Sequence, residues 1–121
     1  MSRELTSHKV NGCNDELTIG TVDEPGIGGA HHEYFICVPN GDPGDVRIKF
    51  QNGPIKEVGT NGVTHEALLS IVIDRLQGFQ KGQFACRENA IALTHLEDAV
   101  HWLQHRTRAR LARGVEGTHE K

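Results

Sequence analysis

This chain is poor in the materials that usually stabilise a small protein. Aromatic residues make up 5% of its 121 residues, and its mean hydropathy is -0.45. A domain of this length buries only about two-thirds of its unfolded surface, so few large apolar side chains are left to cover a sheet and a pair of helices. Self-association would relieve that shortage. The three cysteines, Cys13, Cys37 and Cys86, are an odd number without a CxxC pair, which speaks against a disulfide framework. No apolar N-terminal run reads as a signal peptide, and a reducing cytosolic setting is expected. Apolar runs are short throughout: Ile71-Val72-Ile73 is bounded by Ser70 and Asp74, whereas a membrane span needs roughly 20 apolar residues.

The common catalytic signatures are missing too. There is no GxSxG elbow, no cysteine with a histidine near enough in sequence to suggest a dyad, and no HExxH pair. Gly26-Ile27-Gly28-Gly29 has the glycines of a phosphate loop but not its GK[ST] ending, and reads as a flexible turn. His101 and His105 are spaced i, i+4 with Glu97 ahead of them, and His31-His32-Glu33 precedes a strand. Neither group offers an evident fourth ligand, so no metal site is expected.

What is present is unevenly charged. The net charge is -3, yet residues 1–45 carry Arg3 and Lys9 against eight acidic residues, and residues 105–113 carry four arginines and no acid. A small basic patch on an acidic chain suits a compact anionic ligand better than duplex nucleic acid, whose counterion-release affinity needs a broad basic surface.

The patterning predicts an α+β fold: a small antiparallel sheet, N-terminal and central, packed with one helix and a long C-terminal helix that together form a hairpin. Expected boundaries are a β-rich region over 1–62 and a helical hairpin over 63–121, joined in one compact domain. Glu16-Leu17-Thr18-Ile19, residues 33–38 and residues 45–51 read as strands. In the last, Val46, Ile48 and Phe50 alternate with polar neighbours, the period of a strand with one buried face. Asn52-Gly53 then signals a hairpin turn, predicting an antiparallel strand over 54–58. Thr64 is the expected N-cap of a helix reaching Phe79, with Leu68, Leu69, Val72, Leu76 and Phe79 as its apolar stripe. Gly78 and Gly82 bracket a break, and the second helix begins near Ala85 or Cys86. In it Leu93, Leu96, Val100 and Leu103 repeat with 3, 4, 3 spacing as a helix-facing seam, with Trp102 off it. Running to Arg113, this helix overhangs a small core and invites a partner chain.

Arg106, Arg110 and Arg113 fall at i, i+4, i+7 ahead of a glycine-broken tail. They read either as an anion clamp, with forked guanidinium donors matched to phosphate and backbone N–H groups freed by the glycines, or as cations complementing the helix dipole. Arg87-Glu88-Asn89 lies in the first turn of the second helix, where Asn89 is either a base-edge reader or an exposed first-turn residue. Phe79 and Phe84 flank the break as core residues or as a stacking platform.

Two stretches carry a resemblance. Phe50-Gln51-Asn52-Gly53-Pro54-Ile55-Lys56-Glu57-Val58-Gly59 with Asn61-Gly62, and Phe84-Ala85-Cys86-Arg87-Glu88-Asn89-Ala90 through Ala112-Arg113-Gly114-Val115-Glu116-Gly117-Thr118, resemble the phage first Thoeris anti-defence family, whose helical hairpin is shared with the second anti-CBASS phage protein. The likeness covers roughly residues 46–121, and Glu16-Leu17-Thr18-Ile19-Gly20 and His32-Glu33-Tyr34 are generally similar to that family's N-terminal strands. It implies a sponge acting in the cytoplasm of the infected bacterium. Such a protein sequesters glycocyclic ADP-ribose isomers, and in some members cyclic trinucleotides, without cleaving them and without cofactor, metal or catalytic residue. The resemblance further implies a homodimer or homohexamer, with ADP-ribose pockets at dimer contacts and trinucleotide pockets where several subunits meet. Matched by motif, Phe79 is similar to the adenine platform, Asn89 to the base-edge reader with Arg87 beside it, and Arg106 and Arg110 to the phosphate-holding arginines. Arg113 with the backbone of Gly114, Val115, Gly117 and Thr118 resembles the trinucleotide pocket. Two other classes stay open: an enzyme degrading the same messengers with His101 or His105 as base, and a small phage protein whose arginines meet nucleic acid or an acidic partner.

Overall fold

A computed structural model describes residues 3–42 and 44–119. The chain forms two compact units, Met1–Asn52 and Gly53–Lys121. The first holds β1 (Glu4–Leu5), the short helix α1 (Gly12–Glu16), β2 (Thr18–Thr21), β3 (Glu33–Cys37) and β4 (Asp45–Lys49). Its four strands form an antiparallel sheet in the order β1-β2-β3-β4. The register sets Leu5 opposite Ile19, Ile19 opposite Ile36 and Ile36 opposite Val46, so the aliphatic residues share one face. Ile48 joins them and the Phe50 ring meets Tyr34 edge-on at 5.8 Å. Val46 is still 47% exposed, so the apolar face is only partly covered at this position. On the other face Gly20 pairs with Phe35, whose ring closes over it: a Cβ at Gly20 would stand 2.5 Å from Phe35 Cε1. Glycine is required there because the aromatic ring already fills the place a side chain would take.

One sequence expectation for this region shifts. The strand expected at Glu16-Leu17-Thr18-Ile19 begins at Thr18 and runs to Thr21, because Asn11 caps a helical turn ahead of it by accepting from the Asn14 N–H at 2.9 Å. Thr21 ends fully buried, its hydroxyl accepting from the Arg3 N–H at 2.8 Å, which ties the edge strand β1 to β2.

The second unit holds α2 (Ile55–Val58), α3 (His65–Gln80) and α4 (Arg87–Arg113). The antiparallel strand expected over 54–58 is instead the helical turn α2. Gly53 does take a positive φ, +99°, but Pro54 supplies no N–H to a ladder and its φ of -67° suits a helix start. Local bonds then win: Glu57 N and Val58 N donate to Pro54 O at 2.9 and 3.0 Å, and Gly59, at φ +74°, stops the turn.

α3 starts where its cap predicts, Thr64 Oγ1 accepting from Ala67 N at 3.1 Å. It runs through Gly78 to Gln80, so only Gly82 lies in the break. Leu69, Ile73, Leu76 and Gln80 are half-buried, and Val72, expected in the stripe, is 44% exposed. In α4 the seam Leu93, Leu96, Val100 and Leu103 is half-buried as its spacing demands, while Trp102 is 60% exposed. Among the described residues no apolar side chain is fully buried, and no helix is long and apolar enough to cross a membrane. An α+β fold with an antiparallel sheet and C-terminal helices is thus what the patterning predicts and what the chain forms.

Candidate functional site

The sequence-predicted site residues sort to the two ends of α4. At its start, the loop from α3 is held by side chains as much as by backbone. Phe79 is half-buried, meets Phe84 edge-on at 6.3 Å, and carries the Arg75 guanidinium 5.0 Å from its ring centre, within cation–π range. Cys86 caps α4, its sulfur accepting from the Asn89 N–H at 3.4 Å. Asn89 is half-buried and Arg87 exposed in the first turn. Phe79, Arg87 and Asn89 thus border one break between helices, an aromatic face beside an amide with both donor and acceptor.

At the other end, the three arginines do not behave alike. Arg106 and Arg113 are exposed, whereas Arg110 is only 4% exposed. Its Nε donates to Glu116 Oε1 at 3.0 Å and its Nη2 donates to Val115 O at 2.9 Å and Thr118 O at 3.1 Å. Gly114, at φ +73°, ends the helix in the left-handed conformation that glycine adopts without penalty, and Val115 N returns to Arg110 O at 3.0 Å. Glu116 also accepts from Gly117 N at 3.2 Å, and the Thr118 hydroxyl donates to Val115 O. The Arg110 hydrogen bond, followed by the Gly117 N–H and the charges of Arg110 and Arg106, holds the Glu116 carboxyl below the usual glutamate range against the opposing effect of burial.

The tail rests on α2. Lys56 N donates to Gly117 O at 3.3 Å, His119 lies 3.8 Å from Glu57, and a Cβ at Gly117 would come within 2.9 Å of Ile55 Cγ2. The two motif strings around Pro54 and Gly114, far apart in sequence, are therefore neighbours in the fold.

Glu116, Gln80, Arg75 and the α2 residues escape a reading based on the arginine spacing. One signal was available. Continuing the seam Leu93, Leu96, Val100, Leu103 by the same alternation gives Asn89 on one side and Thr107 and Arg110 on the other, and all three are half-buried or buried. Arg110 thus belongs to the seam, with Arg106 and Arg113 beside it.

The remaining candidates resolve simply. His101 and His105 flank Trp102 edge-on, each at 5.4 Å. His31 and His32 gather round Asp23, which accepts from His32 N at 2.9 Å and Glu33 N at 3.2 Å; these bonds, the His32 one foremost, lower its carboxyl below the usual range. Among the described residues no group of three or more His, Cys, Asp or Glu is arranged to hold a metal ion.

Comparison with known proteins adds a family. A protein of Bacillus phage SBSphiJ7 named Thoeris anti-defense 1 is 58% identical over 74 residues, a stretch amounting to 61% of this chain and 52% of that protein. The match therefore spans about half the length of the curated relative. The family described as "Acb2/Tad1, hairpin domain" matches residues 42–108, more than half of the chain, and takes in α3 and most of α4. With its helical hairpin in place and the matched residues running through both helices, this chain belongs to the Acb2/Tad1 hairpin-domain family.

Proposed function

We propose that this chain is a phage anti-Thoeris protein that binds glycocyclic ADP-ribose messengers, and in a second pocket cyclic trinucleotides, and withholds them without cleavage. The observation that carries the reading is the division of one hairpin into an end that bears Phe79 and Asn89 and an end that bears the arginines. Phe79 and Asn89 offer stacking and a paired donor and acceptor; exposed Arg106 offers charge, Arg110, buried and bonded to Glu116 and two tail carbonyls, holds the tail in place beside it, and exposed Arg113 with the backbone of Gly114, Val115, Gly117 and Thr118 would line the tail pocket. The name and 58% identity of the phage relative support the biological setting.

The same geometry bears on assembly. Asn89 and Arg106 are about 25 Å apart along α4 at 1.5 Å per residue, farther than one cyclic dinucleotide-sized ligand reaches. One chain therefore brings only half of each ADP-ribose pocket, and two hairpins must meet, the loop end of one at the arginine end of its partner. The incompletely covered apolar residues, Ile71, Val72, Trp102 and Leu111 among them, supply surface for such a homodimer or a homohexamer built from it.

Calorimetry of the purified chain against a glycocyclic ADP-ribose isomer and a cyclic trinucleotide tests the reading, with mass measurement in solution for the assembly. Saturable binding of the ADP-ribose isomer, fewer trinucleotides bound than chains, and intact ligand recovered after heat denaturation are expected. Ligand returned as product would replace the sponge by an enzyme, and no heat with either class would end the proposal.

A further inference from the structure

Gln80 closes α3 and directly follows Phe79. Its side-chain amide meets both backbone groups of Cys86 across the loop: Nε2 donates to Cys86 O at 3.1 Å and Oε1 accepts from Cys86 N at 3.0 Å. This two-point pairing sets the amide's plane and its sense, because turning it over would put donor against donor and acceptor against acceptor. Cys86 in turn receives the Asn89 N–H on its sulfur. An unbroken series of contacts therefore leads from the helix end that bears Phe79, through Gln80 and Cys86, to the helix start that bears Asn89.

The loop's own backbone bonds do not give this link. Lys81 N to Gly78 O at 3.3 Å and Gly82 N to Phe79 O at 3.2 Å finish α3, and Ala85 N to Gly82 O at 3.2 Å closes a separate turn. Gly82, without a side chain, leaves that join pliable. Gln80 spans it.

We propose that Gln80 is a positioning residue for base recognition: it fixes the separation of the Phe79 ring from the Asn89 amide, so that one purine can be stacked and read at its edge together. This rests on the reading of Phe79 and Asn89 as the base-holding pair. Gln80 is neutral and itself bonded to backbone, so it acts through geometry and not through charge.

The test is calorimetry of the full chain with a glycocyclic ADP-ribose isomer, alongside amide hydrogen exchange of the unliganded protein. Gln80→Met keeps the bulk and removes both bonds. It is expected to weaken binding about tenfold and to speed exchange at Asn89, while exchange over residues 114–118 stays as in the parent chain. Should that variant fold poorly, Gln80→Asn keeps the amide, shortens its reach by one carbon, and carries the same expectation. Unchanged affinity with faster Asn89 exchange would overturn the positioning role alone. Faster exchange at both ends of α4 would mark general loosening and overturn it as well. If the parent chain takes up no ligand, the sponge reading fails first and this role falls with it.

Discussion

The two ends of α4 meet the same need, an unfinished helix terminus, with opposite materials. At the start the partners are neutral and less enclosed, the half-buried Gln80 amide on exposed Cys86 and the Cys86 sulfur on Asn89. At the finish they are charged and enclosed, the Arg110 guanidinium on Glu116 and on two tail carbonyls. Water competes more readily with the first set than with the second, so local opening should be easier at the start of α4 than in the tail. Arginines three or four positions apart on one helix thus divide between building the protein and facing solvent.

The contrast is broken most forcefully at Arg110. Arg110→Met removes a buried cation and takes the guanidinium donors from Glu116 and two tail carbonyls, and it should cost about 3 kcal/mol, at the lower end for a buried pair because Glu116 keeps the Gly117 N–H and some solvent contact. Chemical denaturation should register that loss, and exchange should rise over residues 114–118 well before it rises at Asn89. A cost no larger than that of an exposed substitution would mean that the tail does not depend on this guanidinium.

Next in size, and opposite in kind, is Arg106→Ala. Arg106 is exposed, so stability should move by less than about 0.5 kcal/mol. Affinity for a glycocyclic ADP-ribose isomer should fall by about 2 kcal/mol, the scale of a lost charge-assisted hydrogen bond. Calorimetry and a melting curve on one preparation separate the two quantities; equal affinity would remove Arg106 from the phosphate site.

A smaller effect comes from pH. Glu116 is held below the ordinary glutamate range in the folded chain, so the unfolded chain takes up its proton more readily. Its stabilising contribution is complete above the ordinary value of about 4.3 and disappears as pH falls through the depressed folded value. Tail exchange should quicken over that acid range, and Glu116→Gln should flatten the dependence. The loss should be less than for Arg110→Met, because the Val115 and Thr118 carbonyls still hold the guanidinium.

How far these features can be read from sequence follows from how local their causes are. The start of α3 depends on Thr64 and the residues just after it, and the α4 seam on a repeat within one helix, so both are legible. α2 is not, because Asn52-Gly53 promises a hairpin that only a waiting strand could complete, and the proline that follows prefers to begin a helix. The sheet's alternation at Val46 and Ile48 is legible, but the closure of Phe35 over Gly20 depends on a register set by a different strand. At the arginine end, i, i+4, i+7 spacing groups three side chains on a face and says nothing of a glutamate beyond Gly114 that turns back to claim one of them. Glycine at the helix end makes that return possible, and the distance it covers is a property of the tail's path.

The least effect is expected at Cys86, and it sharpens the comparison from the exposed end. Sulfur is a weak acceptor, and its 3.4 Å contact with the Asn89 N–H is a long one. Serine at the same position would offer a stronger acceptor in the extended backbone that Cys86 already adopts, φ -153° and ψ 162°. Cys86→Ser should therefore stabilise the hairpin by a few tenths of a kcal/mol, leave the Gln80 pairing intact because that uses only the Cys86 backbone, and slow exchange at Asn89. A clear loss of stability would show that the sulfur contributes packing beyond its role as a cap, and the exposed end of α4 would then share more with the buried one than its neutral partners suggest.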